Sequence, residues 1–248
     1  MSQPRKIRCT VESITDHGER VYTVDLTPQS AVPPFRAGQF LHLTVEPYDP
    51  AGFWPESRVF SIASSPRDRR RLRICYSVKG SYTTRIEQTL RVGGEVWVKL
   101  PYGDFVIDDQ RDAVLLAGGT GISAFTALLE ALTPQSSQAV TLVYGVRSPG
   151  LLLFEEMILS QLAAVPNLAV VFFTETADDG FAQRMAALPR APRCVTGRID
   201  LAALDTVFGQ AAAAYYYLAG PPVMLGALTP ALLARGIAQE NIRTDAWE

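Results

Sequence analysis

The hydrophobic period of this 248-residue chain changes once, and that change dictates two domains of different architecture. From residue 5 to about 105, apolar and polar residues alternate in short runs at 6–14, 20–27, 39–45, 58–63, 72–78 and 95–100. Successive side chains of a strand point to opposite faces, so such runs have one buried and one wetted face. Gly, Pro and Asp cluster between them. The pattern predicts an antiparallel β-barrel or sandwich, with a lone helix over 83–90. From residue 112 the apolar runs become continuous and alternate with helical segments. Strand 113–117 precedes helix 123–132, strand 139–146 precedes helix 152–163, strand 168–174 follows, and strand 215–218 precedes helix 223–234. Strands apolar on both faces predict a parallel sheet covered by helices. The polar stretch Asp108-Asp109-Gln110-Arg111-Asp112 separates the halves, giving domains 1–108 and 109–248.

Charge and cysteine usage remove several function classes. A net charge of −2 carries no polyanion signal, which argues against nucleic acid as a partner. Cys9, Cys75 and Cys194 are widely spaced, with no CxxC pair for zinc or an iron–sulfur cluster. Reduced thiols and a cytoplasmic location are expected. His17 and His42 are too few and too isolated for a metal site, so no metal is expected. The stretches 113–129 and 211–234 lack charge, but internal glycines and Pro221-Pro222 would leave backbone groups without partners in hydrocarbon. Membrane insertion is therefore not expected.

Four segments carry residue types suited to phosphate-rich ligands. In Arg58-Val59-Phe60-Ser61, the arginine can make forked, charge-assisted hydrogen bonds to a phosphate, and the serine is a small donor that lets a flat ring approach. Gly80, before Thr83-Thr84 at a predicted helix start, allows close backbone approach beside an anion-attracting helix end. Gly118-Gly119-Thr120-Gly121 follows an apolar strand and opens a helix, the context a dinucleotide site requires, though without full GxGxxG spacing. Ala219-Gly220-Pro221-Pro222 repeats that arrangement at the last predicted strand, so both turns should line one edge of the sheet. Each segment alone also has a plain structural reading: an edge arginine, an ordinary helix cap, a strand–helix turn.

Together the segments resemble the ferredoxin–NADP reductase superfamily of flavin and nicotinamide oxidoreductases, in the expected order and over nearly the whole chain. Phe35-Arg36-Ala37-Gly38-Gln39-Phe40 resembles the family's FxxGQF entry to a barrel strand. Arg58-Val59-Phe60-Ser61 is similar to its RxYS flavin motif, with phenylalanine for tyrosine. Lys79–Thr84 resembles the segment gripping the flavin pyrophosphate, Pro101-Tyr102-Gly103-Asp104-Phe105 the stretch closing the barrel, Gly118–Ile122 the GGTGI turn, and Gly197-Arg198-Ile199 the GRI element.

The resemblance implies a flavin-binding barrel followed by a nicotinamide-binding α/β domain. Arg58, Val59, Phe60, Ser61, Val78, Lys79, Gly80, Tyr82, Thr83 and Thr84 would hold the flavin. Gly118, Gly119, Thr120, Gly121, Ile122, Glu175, Gly220 and Pro221 would hold the nicotinamide dinucleotide. By analogy Phe60 flanks the isoalloxazine, Ser61 touches its N5 edge and Thr120 lies near the nicotinamide. Asp245-Ala246-Trp247 resembles the family's acidic-x-aromatic ending, which assigns Trp247 to covering the flavin and Asp245 to proton relay.

Departures from the pattern sharpen this reading. Phe60 lacks the tyrosine hydroxyl, and Ala219 replaces the usual cysteine before Gly-Pro, which implies slower hydride transfer. Where NADP-binding members carry Ser-Arg, this chain reads Thr174-Glu175-Thr176-Ala177-Asp178-Asp179, whose acids would repel a 2′-phosphate. Arg147 and Arg198 fall near positions that sometimes bind that phosphate. NADH is favoured over NADPH, and FAD over FMN. The implied function is a reductase passing a hydride from NAD(P)H to FAD and single electrons to a separate acceptor, with ferredoxin first choice. The cluster Arg67, Arg69, Arg70, Arg71 and Arg73 could dock an acidic ferredoxin or simply form a solvated hairpin. The alternative function is a flavin-carrying electron-transfer subunit with little NADH turnover; a weaker one is a reductase of free flavin or of a haem partner.

Overall fold

The computed structural model describes residues 3–108, 110–204 and 213–245. They divide into two compact units: Met1–Val106 with Thr126–Ala131, and Ile107–Phe125 with Leu132–Glu248.

In the first unit, strands β1 (Arg5–Asp16), β2 (Val21–Pro28), β3 (Phe40–Thr44), β4 (Arg58–Ser61), β5 (Leu72–Ser77) and β6 (Glu95–Tyr102) form one antiparallel sheet in the order β4-β3-β6-β1-β2-β5. The sheet curls so that its two edges approach, and the Ala63 amide donates to the Arg73 carbonyl at 2.8 Å. Of the two antiparallel architectures the alternation allowed, the chain adopts the nearly closed barrel, which protects strand edges. Alternation holds on each strand: Ile7, Cys9 and Val11 of β1 face inward with Val96, Val98 and Leu100 of β6. Helix α1 (Ser81–Thr89) packs on this core through Tyr82 and Ile86, 2% and 0% exposed.

In the second unit, β7 (Ala113–Gly118), β8 (Val140–Val146), β9 (Leu168–Thr174), β10 (Arg193–Thr196), β11 (Tyr215–Ala219) and β12 (Ile242–Asp245) form a parallel sheet in the order β10-β9-β8-β7-β11-β12. The connecting helices are α2 (Ser123–Ala131), α3 (Glu155–Ala164), α4 (Asp179–Ala186) and α5 (Pro222–Ala234). All six residues of β7 are buried, as a central strand covered on both faces requires. Chain order runs outward from β7 through β8, β9 and β10, then returns to place β11 on the other side of β7. Strand order therefore reverses between β7 and β11, and the carboxyl ends of those strands flank the switch-point crevice where open α/β sheets bind ligands.

Among the described residues, three elements lie outside the sequence-based expectation: α4, β10 and β12. Strand β10 is a largely exposed edge and β12 has four residues, so neither shows an apolar run. The predicted helix 152–163 starts later, at Glu155, because Pro149–Leu151 form a 3-10 turn and Phe154 is left-handed at φ 60°. Among the described residues no helix is long and apolar enough to cross a membrane.

Candidate functional site

Within the barrel, Tyr82 joins two of the singled-out segments. Its buried ring lies under the Arg58 guanidinium, 4.6 Å from carbon to ring centroid, and its hydroxyl donates to the Glu56 carbonyl at 2.8 Å. Arg58 is steadied further by the Ser57 carbonyl at 3.0 Å and the Glu56 carboxylate at 3.3 Å, yet its side chain stays 44% exposed. A cation–π contact of this kind contributes about 0.5–2 kcal/mol. The first turn of α1 has no side-chain cap at Gly80, so the helix start offers backbone N–H groups outward. Thr83 Oγ1 turns back to accept from the Lys79 and Gly80 amides at 3.0 and 3.1 Å, and the Thr84 amide bonds the Gly80 carbonyl at 3.0 Å. A Cβ on Gly80 would meet nothing within 4 Å, so the space before the helix is open. Forked cation, helix-end amides and hydroxyls form a donor set that fits a phosphate or pyrophosphate.

Phe60 and Ser61 sit on opposite faces of β4. Phe60, 9% exposed, packs in the barrel core with its centroid 6.0 Å from that of Tyr76. Half-buried Ser61 pairs with Phe40 on the outer face, and Val59 pairs with His42. Val78 is partly buried against the core, its amide bonded to the Arg20 carbonyl at 3.0 Å.

In the parallel sheet, the two glycine turns meet backbone to backbone. Any Cβ on Gly121 would collide with the Ala219 carbonyl, and one on Gly220 would lie 3.0 Å from Gly118 N and Cα. A Cβ on Gly118 would come within 2.6 Å of Met224 Sδ from α5. Gly119 at φ +52° and Gly220 at φ +155° occupy conformations that side chains disfavour. Gly119–Ile122 form a 3-10 turn rather than the helix itself, which begins at Ser123; the Ser123 hydroxyl bonds the Thr120 carbonyl at 2.8 Å. Thr120 is half-buried at the turn and Ile122 fully buried. Pro221 caps α5, and Asp245 ends β12 in register with Ala219, on the same carboxyl edge. Trp247 lies outside the described residues. A cradle that only glycine fits, at the switch point, suits a pyrophosphate approached by bare backbone.

Glu175 stands just past β9 and pairs with Arg198, just past β10, at 3.2 Å between Oε2 and Nε. Asp178 is not available as a ligand acid in the same way: its carboxylate caps α4, accepting from the Phe181 amide at 2.8 Å.

The arginine hairpin is largely committed internally. Arg73 pairs with Asp25 at 2.8 Å and with Glu130 at 3.6 Å, Arg71 pairs with Asp25 at 3.3 Å, and Arg69 Nε donates to the Val32 carbonyl at 2.6 Å. Arg67 and Arg70 are exposed. Burial pushes the Cys9 and Cys75 thiols up to about 12, so neither is a nucleophile. Among the described residues no His, Cys, Asp or Glu group could hold a metal.

Residues 115–229 match the family model described as an oxidoreductase NAD-binding domain. The chain is 29% identical over 223 residues to the reductase component DmpP of phenol 2-monooxygenase from Pseudomonas sp. strain CF600, covering 84% of this chain and 56% of that protein. These matches are to flavin and nicotinamide oxidoreductases, and the chain resembles the ferredoxin–NADP reductase superfamily. A flavohemoprotein of Bordetella pertussis is 28% identical over 228 residues, 88% of this chain and 54% of its own length. The chain thus spans little more than half the length of these relatives. The superfamily fold is also that of the flavohem-like FAD/NAD binding domain of nitric oxide dioxygenase from Vibrio cholerae, with a TM-score of 0.74 at 22% identity, covering 96% of this chain and 97% of that one.

Proposed function

We propose that the chain is an NAD(P)H-dependent flavin oxidoreductase that holds FAD on its barrel and a nicotinamide dinucleotide on its parallel sheet. The observation that carries this reading is the Arg58 guanidinium stacked on Tyr82 beside the uncapped start of α1. A strand motif and a helix motif more than twenty residues apart in sequence thereby become one anion site. When bound, FAD supplies the capacity to accept a hydride from the dinucleotide and return electrons singly. The chain's own residues bind, orient and shield. Arg58 supplies the countercharge, and the first-turn amides of α1 with Thr83-Thr84 contact the pyrophosphate. Ser61 presents a hydroxyl on the outer barrel face for the flavin's reactive edge, and Phe60 supports that strand from the core. Gly118, Gly119, Gly121 and Gly220 let the second pyrophosphate reach backbone, with Thr120 beside the nicotinamide. Asp245 serves proton relay at the same edge; the covering role that the resemblance assigns to Trp247 falls outside the described residues.

NADH is the favoured donor because Glu175 follows β9 where an arginine would suit a 2′-phosphate. The acceptor is a separate carrier, with a ferredoxin first choice. The resemblance to a monooxygenase reductase component supports it, and the flavohemoprotein likeness keeps a haem acceptor as the rival. Free thiols at Cys9, Cys75 and Cys194 accord with a cytoplasmic location. The test is the colour and released cofactor of purified protein, followed by rapid mixing with NADH. Yellow protein releasing FAD that bleaches within seconds is expected. A preparation taking up neither FAD nor FMN defeats the reading, and bound flavin that fails to bleach favours an electron-transfer subunit with little turnover of its own.

A further inference from the structure

Tyr215 carries two cations on one ring. The Arg111 guanidinium carbon lies 4.7 Å from the ring centroid, and that of Arg243 lies 5.0 Å from it. Tyr215 opens β11, Arg243 is the second residue of β12, and Arg111 stands two residues before β7. The three gather at the amino ends of these parallel strands, on the edge of the sheet opposite the Gly118–Gly121 and Gly220 turns. Backbone and side-chain bonds hold the platform. Half-buried Tyr215 packs edge-on against fully buried Tyr217, with centroids 6.1 Å apart. The Tyr217 hydroxyl accepts from the Asp108 amide at 2.9 Å, and the Tyr215 amide donates to the Asp112 carbonyl at 2.9 Å. Gln138 Nε2 donates to the Asp108 carbonyl at 2.9 Å and to the Arg111 carbonyl. The segment that presents Arg111 is therefore tied down at both ends.

The fold gives little reason for this arrangement. Among the described residues, neither guanidinium pairs with a carboxylate, and both side chains are exposed. Asp108 and Asp112 of the same segment turn Oδ1 to backbone amides instead, Gln110 at 2.9 Å and Ala139 at 2.8 Å. Like charges brought together repel, and one aromatic ring offsets that only in part. Two forks of N–H donors on one platform suit an anion with oxygens for both. A carboxylate has two oxygens, which one fork fills. A phosphate monoester carries about −1.5 to −2 charge near pH 7 and three acceptor oxygens, so it can take both forks. We propose that Arg111, Arg243 and Tyr215 form a further anion site, for a phosphate group borne by a small molecule or free as inorganic phosphate. The site lies within the parallel-sheet unit and rests on neither the flavin nor the nicotinamide reading.

NMR titration of the purified protein at constant ionic strength tests the site, with inorganic phosphate, methyl phosphate, succinate and chloride as probes. Both phosphates should give saturable shifts at the Arg111 and Arg243 Nε–H signals and at the Tyr215 and Tyr217 amides, and chloride none. Arg111→Gln and Arg243→Gln should each weaken that binding about tenfold, the scale of one charge-assisted fork. Tighter binding of methyl phosphate identifies a phosphorylated molecule as the occupant, and tighter binding of inorganic phosphate identifies the free ion. Absence of saturable shifts at both arginines overturns the site. So does undiminished affinity at the Tyr215 and Tyr217 amides in the double variant. Succinate binding as tightly as phosphate overturns the assignment to phosphate.

Discussion

The anion sites proposed for the barrel and for the parallel sheet are built by opposite means. The barrel uses side chains: Arg58 aimed by Tyr82, and Thr83 folded back on the start of α1. The sheet uses their absence, since Gly118, Gly121 and Gly220 pack so closely that no Cβ fits without displacement. One site is defined by charge and stacking, the other by steric exclusion. Charge changes should therefore damage ligand retention in the barrel while sparing its fold. Added methyl groups should damage the fold and the ligand site of the sheet together.

Tyr82→Ala should give the largest loss. It empties a fully buried aromatic position, worth about 3–5 kcal/mol, and removes the platform under Arg58. Chemical denaturation should show the deficit and flavin retention should fall with it; full flavin retention would show that Tyr82 does not position Arg58. Next is Gly121→Ala, whose methyl would press on the Ala219 carbonyl at a cost of about 3 kcal/mol. Gly226→Ala is the matched control: Gly226 is exposed on α5 with nothing within 4 Å of a new Cβ, so the change should stabilise the same unit by about 0.5–1 kcal/mol. Equal effects of the two substitutions would refute steric definition of the sheet site. Arg58→Ala should weaken flavin retention about tenfold or more with a small change in melting temperature, because the side chain is half-exposed. Unaltered flavin affinity would remove Arg58 from the phosphate role.

The fold was legible where period and burial agree. The alternation of β1 through β6 and the apolar run of β7 follow directly from which faces are covered. Helix α4 was hidden by Asp179 and Gly180 at its start, and β10 by its exposed edge, where burial writes no pattern. At the site, sequence order identified Arg58, Gly80 and Gly121 as special. It did not reveal that Arg58 stacks on Tyr82 or that Glu175 holds Arg198, because those contacts join residues 24 and 23 positions apart through tertiary packing. The same reason spends most of the arginine hairpin. Asp25 lies on β2, remote in sequence from Arg71 and Arg73, and pairs with both.

The two units also differ in how acid should reach them. Both histidines of the chain, His17 and His42, lie in the barrel unit. Burial, with neighbouring Lys99, holds His42 below its ordinary range, and burial does the same for His17 despite Asp16. His42 packs at 4.9 Å from the Tyr102 ring and 5.7 Å from the Phe40 ring, with Ser57 Oγ 3.3 Å from Nδ1. A folded-state value below the unfolded one means that the unfolded chain takes up the proton first on acidification. From about pH 7.5 upward both states are neutral there and the histidines contribute no slope. Below it, stability falls as pH drops toward the folded-state values. Amide-exchange protection, corrected for intrinsic rates, should therefore weaken from pH 7.5 to 5.5 at Leu41 and Val98 more than at Leu115 and Leu142. His42→Gln should flatten the barrel's slope without abolishing it, since His17 shifts in the same direction. Equal acid sensitivity of the two units, or a slope untouched by His42→Gln, would show that desolvated imidazole does not set the barrel's response.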